Sequence, residues 1–363
     1  MLRTALLVSL GACLACTPRA RDAWLPAIYS DLSHWSGGVT EAHMHEAVSY
    51  VKGLFTNSCQ AVLVRIRNGR LTAHWLDVPE DSPCVGSSLR AHLDALQNFS
   101  LPDTVFLMHT KDMPDGDATG PDPAHPIFHF CATSASRNIL VESFVMAGMV
   151  TGDADNLFGG SVRRVFNHLQ AHPPKPWRER EDVLFAAWSS WGRAGPLSWH
   201  TMRLDEQRRP NPDVRDTLQR VGASLSDPSV RINVPGGERP PMFEWARYKY
   251  LLFADGITCS NKIWEMLYTG SLLFVEQSGY HCLAHTALQP YVHYIPVYRT
   301  VPQELGEALT WVRNHPAESE RIAAAGKAWA DEFLTPAMLE CRWQLLLEEY
   351  NKVLKFDLGS FIH

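Results

Sequence analysis

The sequence predicts an α/β fold in two domains, on three observations. The first is the stretch Arg247 to Pro296. It carries a short apolar run (Tyr248 to Phe253), a glycine turn at Gly256, a helix from about Asn261, a stop at Gly270 and a second strand (Leu272 to Val275). Strand, turn, helix, strand is the unit of a parallel sheet, and open α/β folds take ligands at the carboxyl edge, where the turn and helix start lie. The second is size: 363 residues, 45% of them hydrophobic, suit two cores of ordinary size better than one. The third is His172-Pro173-Pro174-Lys175-Pro176, the best linker in the chain.

Composition narrows the partners. Acidic residues number 39 and basic residues 33, with no long run of either sign, so no nucleic-acid surface is expected. Residues 1–20 read as a cleaved signal peptide: Arg3 is a minimal basic start, Ala5 to Cys16 is an apolar run of 12, and small residues continue to Ala20. That run falls short of the ~20 residues that span a bilayer, so no transmembrane anchor is expected. Leu10-Gly11-Ala12-Cys13 also admits a bacterial lipoprotein signal. Removing the leader takes Cys13 and Cys16 with it. Cys59, Cys84, Cys131, Cys259, Cys282 and Cys341 remain, and sequence does not choose among their pairings. None has a zinc-ligand spacing, so no structural metal is indicated. Asn98-Phe99-Ser100 is a glycosylation sequon.

Taken in order, Ile28 to Trp35 reads as a docking segment and Val39 to Leu54 as a helix with Thr40 as its N-cap. Gln60 to Ile66 and Arg70 to Leu76 are strands of a hairpin closed by Asn68-Gly69. A helix at Ser87 to Gln97 leads to the strand Thr104 to His109, and Asp112 follows it before a proline turn. A carboxylate there suits chemistry, although a turn aspartate is the plainer reading. Asp115-Gly116-Asp117 and Asp153-Ala154-Asp155 are DxD-like, but such tripeptides arise readily in loops. Ile127 to Phe130 is a short strand, Ser136 to Met149 a helix or mixed apolar segment, and Val162 to Gln170 an amphipathic helix. Beyond the linker come a strand (Val183 to Trp188), a basic group (Arg203, Arg208, Arg209), the opening unit, a strand at Val297 to Arg299 and helices at Gln303 to Asn314 and Ala317 to Phe333. Thr335-Pro336 caps a last helix whose Leu339, Trp343, Leu346, Leu347, Tyr350, Val353 and Leu354 form one apolar stripe. The chain holds no GxGxxG, P-loop or GxSxG motif, which argues against dinucleotide enzymes, NTPases and α/β-hydrolases.

Within the opening unit, Ser260 is a good N-cap, and the N–H groups behind it suit an anion. Lys262 falls in the first helical turn, where the macrodipole disfavours a cation by a few tenths to ~1 kcal/mol. A bound phosphate would remove that conflict; a solvated surface lysine is the alternative.

The run YKYLLFADG, then ITCSNKIWEMLYTGSLLFV, LQPYVHYIPV and CRWQLLLEEY resembles glycosyltransferase family 90, the capsule-associated and protein O-glucosyltransferase-like proteins. RIRNGRLTA resembles that family's hairpin, and LPDTVFLMHTKDMP its catalytic-loop motif, so the likeness runs from about Ile28 to Lys355. The resemblance implies a GT-B architecture: two Rossmann-like domains, with a C-terminal helix crossing back to the first. The corresponding divisions are a leader at 1–20, an acceptor-side domain at 21–178, a donor domain at 179–334 and a helix with tail at 335–363. It implies inverting transfer of glucose or xylose from UDP-glucose or UDP-xylose to a protein or glycan hydroxyl, without a cofactor or metal, in the secretory pathway lumen or outside the cell. Asp112 falls on the family's catalytic base. Gly256, Ile257, Thr258, Cys259, Ser260, Asn261 and Lys262 fall on the donor loop, with Arg203 on a diphosphate-binding arginine.

The chain departs from the family pattern at Ser189 to Arg193, where a serine and an arginine fall out of register. The cysteines that flank the donor unit in animal members are here Ala246 and Thr269. Cys341 matches a family cysteine whose N-terminal partner is absent from the mature chain as read here. The competing expectation is a catalytically weakened member that acts as a glycan- or protein-binding module. Phe128 and Phe144 could line the acceptor side, though a core role suits them better.

Overall fold

The computed structural model describes residues 16–54, 59–79, 84, 88–110, 125–133, 136–143, 146, 149–150, 162–188, 214–233, 240–256, 258–359 and 361. Two five-stranded sheets organise it. The first contains β1 (Ala61–Arg67), β2 (Arg70–Trp75), β3 (Thr104–His109), β4 (Ile127–His129) and β6 (Ile139–Leu140) in the order β2-β1-β3-β4-β6. It is mixed: β1 pairs antiparallel with both β2 and β3, while β3, β4 and β6 run parallel. The hairpin turn is the expected Asn68-Gly69, with φ of 51° and 72°, the left-handed conformation that a tight two-residue turn requires.

The second sheet contains β7 (Glu181–Ala186), β8 (Val230–Ile232), β9 (Tyr248–Phe253), β10 (Leu272–Glu276) and β12 (Ile295–Val297). Its order is β12-β10-β9-β7-β8 and every pairing is parallel. Leu251, Leu252, Phe253, Leu273, Phe274 and Val275 are all buried, as expected of strands covered on both faces. A third, two-stranded piece joins β5 (Ala132–Thr133) to β11 (Tyr280–His281) and thus ties the first half of the chain to the second.

The helices are α1 (Pro18–Leu32), α2 (Glu41–Leu54), α3 (Ser88–Leu96), α4 (Val162–Ala171), α5 (Val214–Ser224), α6 (Lys262–Tyr268), α7 (Leu283–Ala287), α8 (Glu304–Asn314), α9 (Pro316–Phe333) and α10 (Pro336–Val353). The last behaves as its stripe requires. Thr335 Oγ1 accepts the Met338 N–H at 3.3 Å, and the helix returns to the first sheet. There Trp343 stacks 6.1 Å from Phe128, and Tyr350 meets the same ring edge-on at 5.0 Å. Phe128 is therefore core. Beneath α10 lies a buried polar knot, in which Arg342 sits 3.6 Å from Glu142, His92 lies 3.3 Å from the same carboxylate, and the Trp343 N–H donates to it. Burial alone would raise the Glu142 carboxyl, but the His92, Arg342 and Trp343 contacts hold it below the usual carboxylate range. Neighbouring Asp31 goes the other way. Burial pushes it up to about 6 against the pull of Arg342 and the Leu140 N–H.

The structure corrects the reading of the N-terminus. Residues 18–32 form α1, begun by Thr17, whose hydroxyl accepts the Ala20 N–H at 3.2 Å, and by Pro18 at N1. Trp24 is fully buried against Trp329 and Phe333. Cys16 and Cys341 form a disulfide, so Cys341 has its N-terminal partner after all. A cut at residue 20 would remove half of that bond and the first turn of α1; a leader compatible with this fold ends before Cys16. Cys59 pairs with Cys84, and Cys131 with Cys259. The linker 172–176 does separate the sheets, yet α4 ahead of it packs on the second half, with Phe166 5.1 Å from Tyr268 and His168 3.8 Å from Phe243.

Candidate functional site

The carboxyl edge of the second sheet is where β7, β9 and β10 end side by side, at Ala186, Phe253 and Glu276. The chain leaving β9 is Ala254-Asp255-Gly256, and by Thr258 to Asn261 it has turned into α6. Gly256, Thr258, Cys259, Ser260, Asn261 and Lys262 therefore lie together at this edge. Asp112, Arg203, Ile257, the Ser189 to Arg193 segment and both DxD-like tripeptides lie outside the described residues.

The loop is held from inside. Asp255 is fully buried, and its Oδ1 accepts the Ser260 N–H at 2.6 Å while its Oδ2 accepts the Ser278 hydroxyl at 2.6 Å. The Asp255 N–H points to Glu276 Oε2 at 3.3 Å, and the Gly256 N–H donates to the Thr258 carbonyl at 3.1 Å. This changes the expectation for Ser260, which is not the N-cap. Asn261 holds that place in a helical conformation without a side-chain cap bond, and α6 starts at Lys262. A buried carboxylate needs donors, and Asp255 has taken the Ser260 N–H that could otherwise face an external anion.

Lys262 lies at the start of α6, but it is no solvated lysine. Its ammonium donates to the Ala187 carbonyl, just past β7, at 2.9 Å and lies 5.6 Å over the Trp245 ring. The carbonyl and the ring face supply the stabilisation that the helix terminus withholds. A second cation, missed in the sequence, lies at the same sheet edge. Arg215 of α5 is buried, donates to the Ala254 carbonyl at 3.1 Å and lies 5.9 Å over Trp188. Two cations thus bracket the ends of β7 and β9. Glu265, one turn along α6, has its carboxyl pushed up to about 7 by burial, partly offset by Lys262 and Arg164.

Across the junction, Cys259 is disulfide-bonded to Cys131, the second residue after β4, so the loop is covalently joined to the first half. At the carboxyl ends of β3 and β4, the rings of His109 and His129 lie 4.7 Å apart, both buried. Neither histidine stood out in the sequence, since each reads as an ordinary strand residue; only the parallel pairing of β3 with β4 brings them together. A separate groove of about 330 Å³, lined by His168, His172, Phe243 and Arg247 among others, opens at the amino ends of β7 and β9, away from this edge.

The family model for glycosyl transferase family 90 matches residues 23–359, which takes in both sheets and α10. The chain belongs to that family. Among family relatives, Protein O-glucosyltransferase 2 of Danio rerio is 24% identical over 267 residues, covering 72% of this chain and 50% of that protein. O-glucosyltransferase rumi of Drosophila melanogaster is 24% identical over 268 residues, covering 71% and 62%. Protein O-glucosyltransferase 1 of Homo sapiens is 22% identical over 355 residues, covering 94% and 83%. The match thus spans about half to three-fifths of the first two relatives' length. Among solved structures, Anabaena Alr3699/HepE in complex with UDP and glucose aligns at 13% identity and a TM-score of 0.33, covering 75% of this chain and 69% of that one. No helix among the described residues is long and apolar enough to cross a membrane.

Proposed function

We propose that this family 90 protein is an inverting glycosyltransferase that moves glucose or xylose from a UDP-sugar to a hydroxyl of a protein or glycan acceptor. The observation that carries the reading is the family match over 23–359, with relatives named as protein O-glucosyltransferases. On this reading the two sheets are the Rossmann-like cores of a GT-B arrangement, with the donor at the carboxyl edge of the second and the acceptor against the first. Three disulfides among the described residues suit an oxidising secretory compartment or the cell exterior.

The reaction makes three demands. A base must take the acceptor's hydroxyl proton as its oxygen approaches the anomeric carbon; Asp112, three residues beyond β3, is assigned that role. The departing UDP gathers negative charge on its diphosphate, and in this reading Lys262 and Arg203 are assigned to receive it without a metal. The loop 256–262 must approach the donor closely while water is kept from the anomeric carbon.

A second reading, a glycan- or protein-binding member without turnover, draws support from one observation. The Ser260 N–H and the Lys262 ammonium are both engaged within the protein. UDP release measured with a panel of UDP-sugars, with and without peptide and glycan acceptors, separates the two. Acceptor-stimulated release from UDP-glucose or UDP-xylose supports the transferase, and UDP or glycan binding without release from any donor supports the module.

A further inference from the structure

We propose that Asp255 is the positioning residue of the candidate donor loop, holding Gly256 and the segment from Thr258 to Lys262 in one conformation before any donor arrives. This deepens the donor-site reading above and rests on it. Asp255 directly follows Ala254 at the exit of β9 and has no exposed surface, so its carboxylate cannot touch a ligand from solvent. Each of its oxygens is used. One accepts the Ser260 N–H at 2.6 Å and closes the five-residue turn, and the other accepts the Ser278 hydroxyl at 2.6 Å. Both contacts are short and wholly inside the fold, where leaving a polar group unpaired costs most.

Ser278 passes the hold onward. Its Oγ accepts the Tyr280 N–H at 3.0 Å, and Tyr280 pairs with Thr133 in the β5–β11 ladder. Thr133 lies two residues beyond Cys131, whose sulfur is bonded to Cys259 in the middle of the loop. Loop, carboxylate, serine, ladder and disulfide therefore close a ring through both halves of the molecule. A loop held this way is already in its binding-competent population. Releasing it lowers that population and raises the apparent dissociation constant in proportion, while the rate at saturating donor is preserved.

The experiment compares the unaltered protein with Asp255→Asn, Ser278→Ala and Ser278→Thr. The readouts are amide exchange across 255–262, UDP binding by calorimetry, and KM and kcat for the UDP-sugar that turns over. A remote buried-hydroxyl variant, Ser319→Ala, which loses the bonds from Ser319 to the Val312 and His315 carbonyls, is the control for lost stability alone. The expected result for Asp255→Asn and Ser278→Ala is faster exchange in the loop, with UDP Kd and donor KM raised on the order of tenfold and kcat changed far less. Ser278→Thr, which keeps the hydroxyl, restores both readouts, and Ser319→Ala moves neither. Unchanged loop exchange in Asp255→Asn overturns the proposal, as does faster exchange with unchanged UDP affinity. Absence of UDP binding in the unaltered protein overturns the donor-site reading instead, and the exchange comparison still decides whether Asp255 holds the loop.

Discussion

The two halves are built on different terms. The second half is a sheet with only parallel pairings, in which each strand's carboxyl end meets its neighbours' and the candidate site follows from that layout. The first half is a mixed sheet that depends on a helix from the far end of the chain: Arg342 and Trp343 reach Glu142, about 200 positions earlier, inside its core. Local pattern was therefore enough to find the loop between β9 and α6, while the first half is held by contacts that no sequence window contains.

If the halves divide the labour in this way, the largest effect belongs to the base. Asp112→Asn is expected to lower transfer by roughly 10²–10⁴-fold with UDP affinity nearly unchanged, read by turnover and calorimetry. Equal loss of both would place Asp112 with the donor rather than the acceptor. Stability should respond most in the first half. Arg342→Ala strands the Glu142 carboxylate and is expected to cost about 3–5 kcal/mol in urea unfolding, whereas joint replacement as Arg342→Met with Glu142→Gln recovers most of it. A loss under 1 kcal/mol would show that α10 is held by its apolar stripe alone.

Smaller effects bear on the edge of the second sheet. Lys262→Ala is expected to weaken UDP binding by roughly five- to tenfold in calorimetry, one charge-assisted contact's worth. Unchanged affinity would leave Lys262 as a brace between Ala187 and Trp245. Glu265 supplies a pH test. Its folded carboxyl sits at about 7, above the ordinary 4.5, so the native state binds more protons than the unfolded chain between those values. Its contribution falls as pH rises through that window and is fully lost above it. Glu265→Gln should therefore match the unaltered protein near pH 4 and exceed it by about 3 kcal/mol at pH 8 in thermal or urea unfolding. A constant difference across pH would mean that Glu265 ionises as freely in the fold as in water.

What was legible follows the same division. Asn68-Gly69 announced the hairpin because only a few residue types accept its left-handed turn, and the strand–turn–helix unit of β9, α6 and β10 announced itself by apolar runs and glycines. The α10 stripe was legible, as was its need for a partner. α1 was not. It holds an internal Pro26, follows a leader-like run, and owes its place to Trp24 packing on Trp329 and Phe333 and to the Cys16–Cys341 bond. In the site, Lys262 stood out by its position at a helix start. Asp255 drew no reading of its own, because the hydroxyl that gives it a role, Ser278, arrives 23 positions later. Arg215 was missed because the sequence reading named no helix at 214–224, although Val214, Leu218 and Val221 lie at helical spacing.

The most direct test of the central claim is amide exchange mapped across the whole chain with and without UDP. The account predicts protection by UDP concentrated in residues 255–262 and at the ends of β7 and β9, with Lys262→Ala needing roughly five- to tenfold more UDP to reach the same protection. Protection confined to the groove beside His168 and Phe243, or none at saturating UDP, would contradict it.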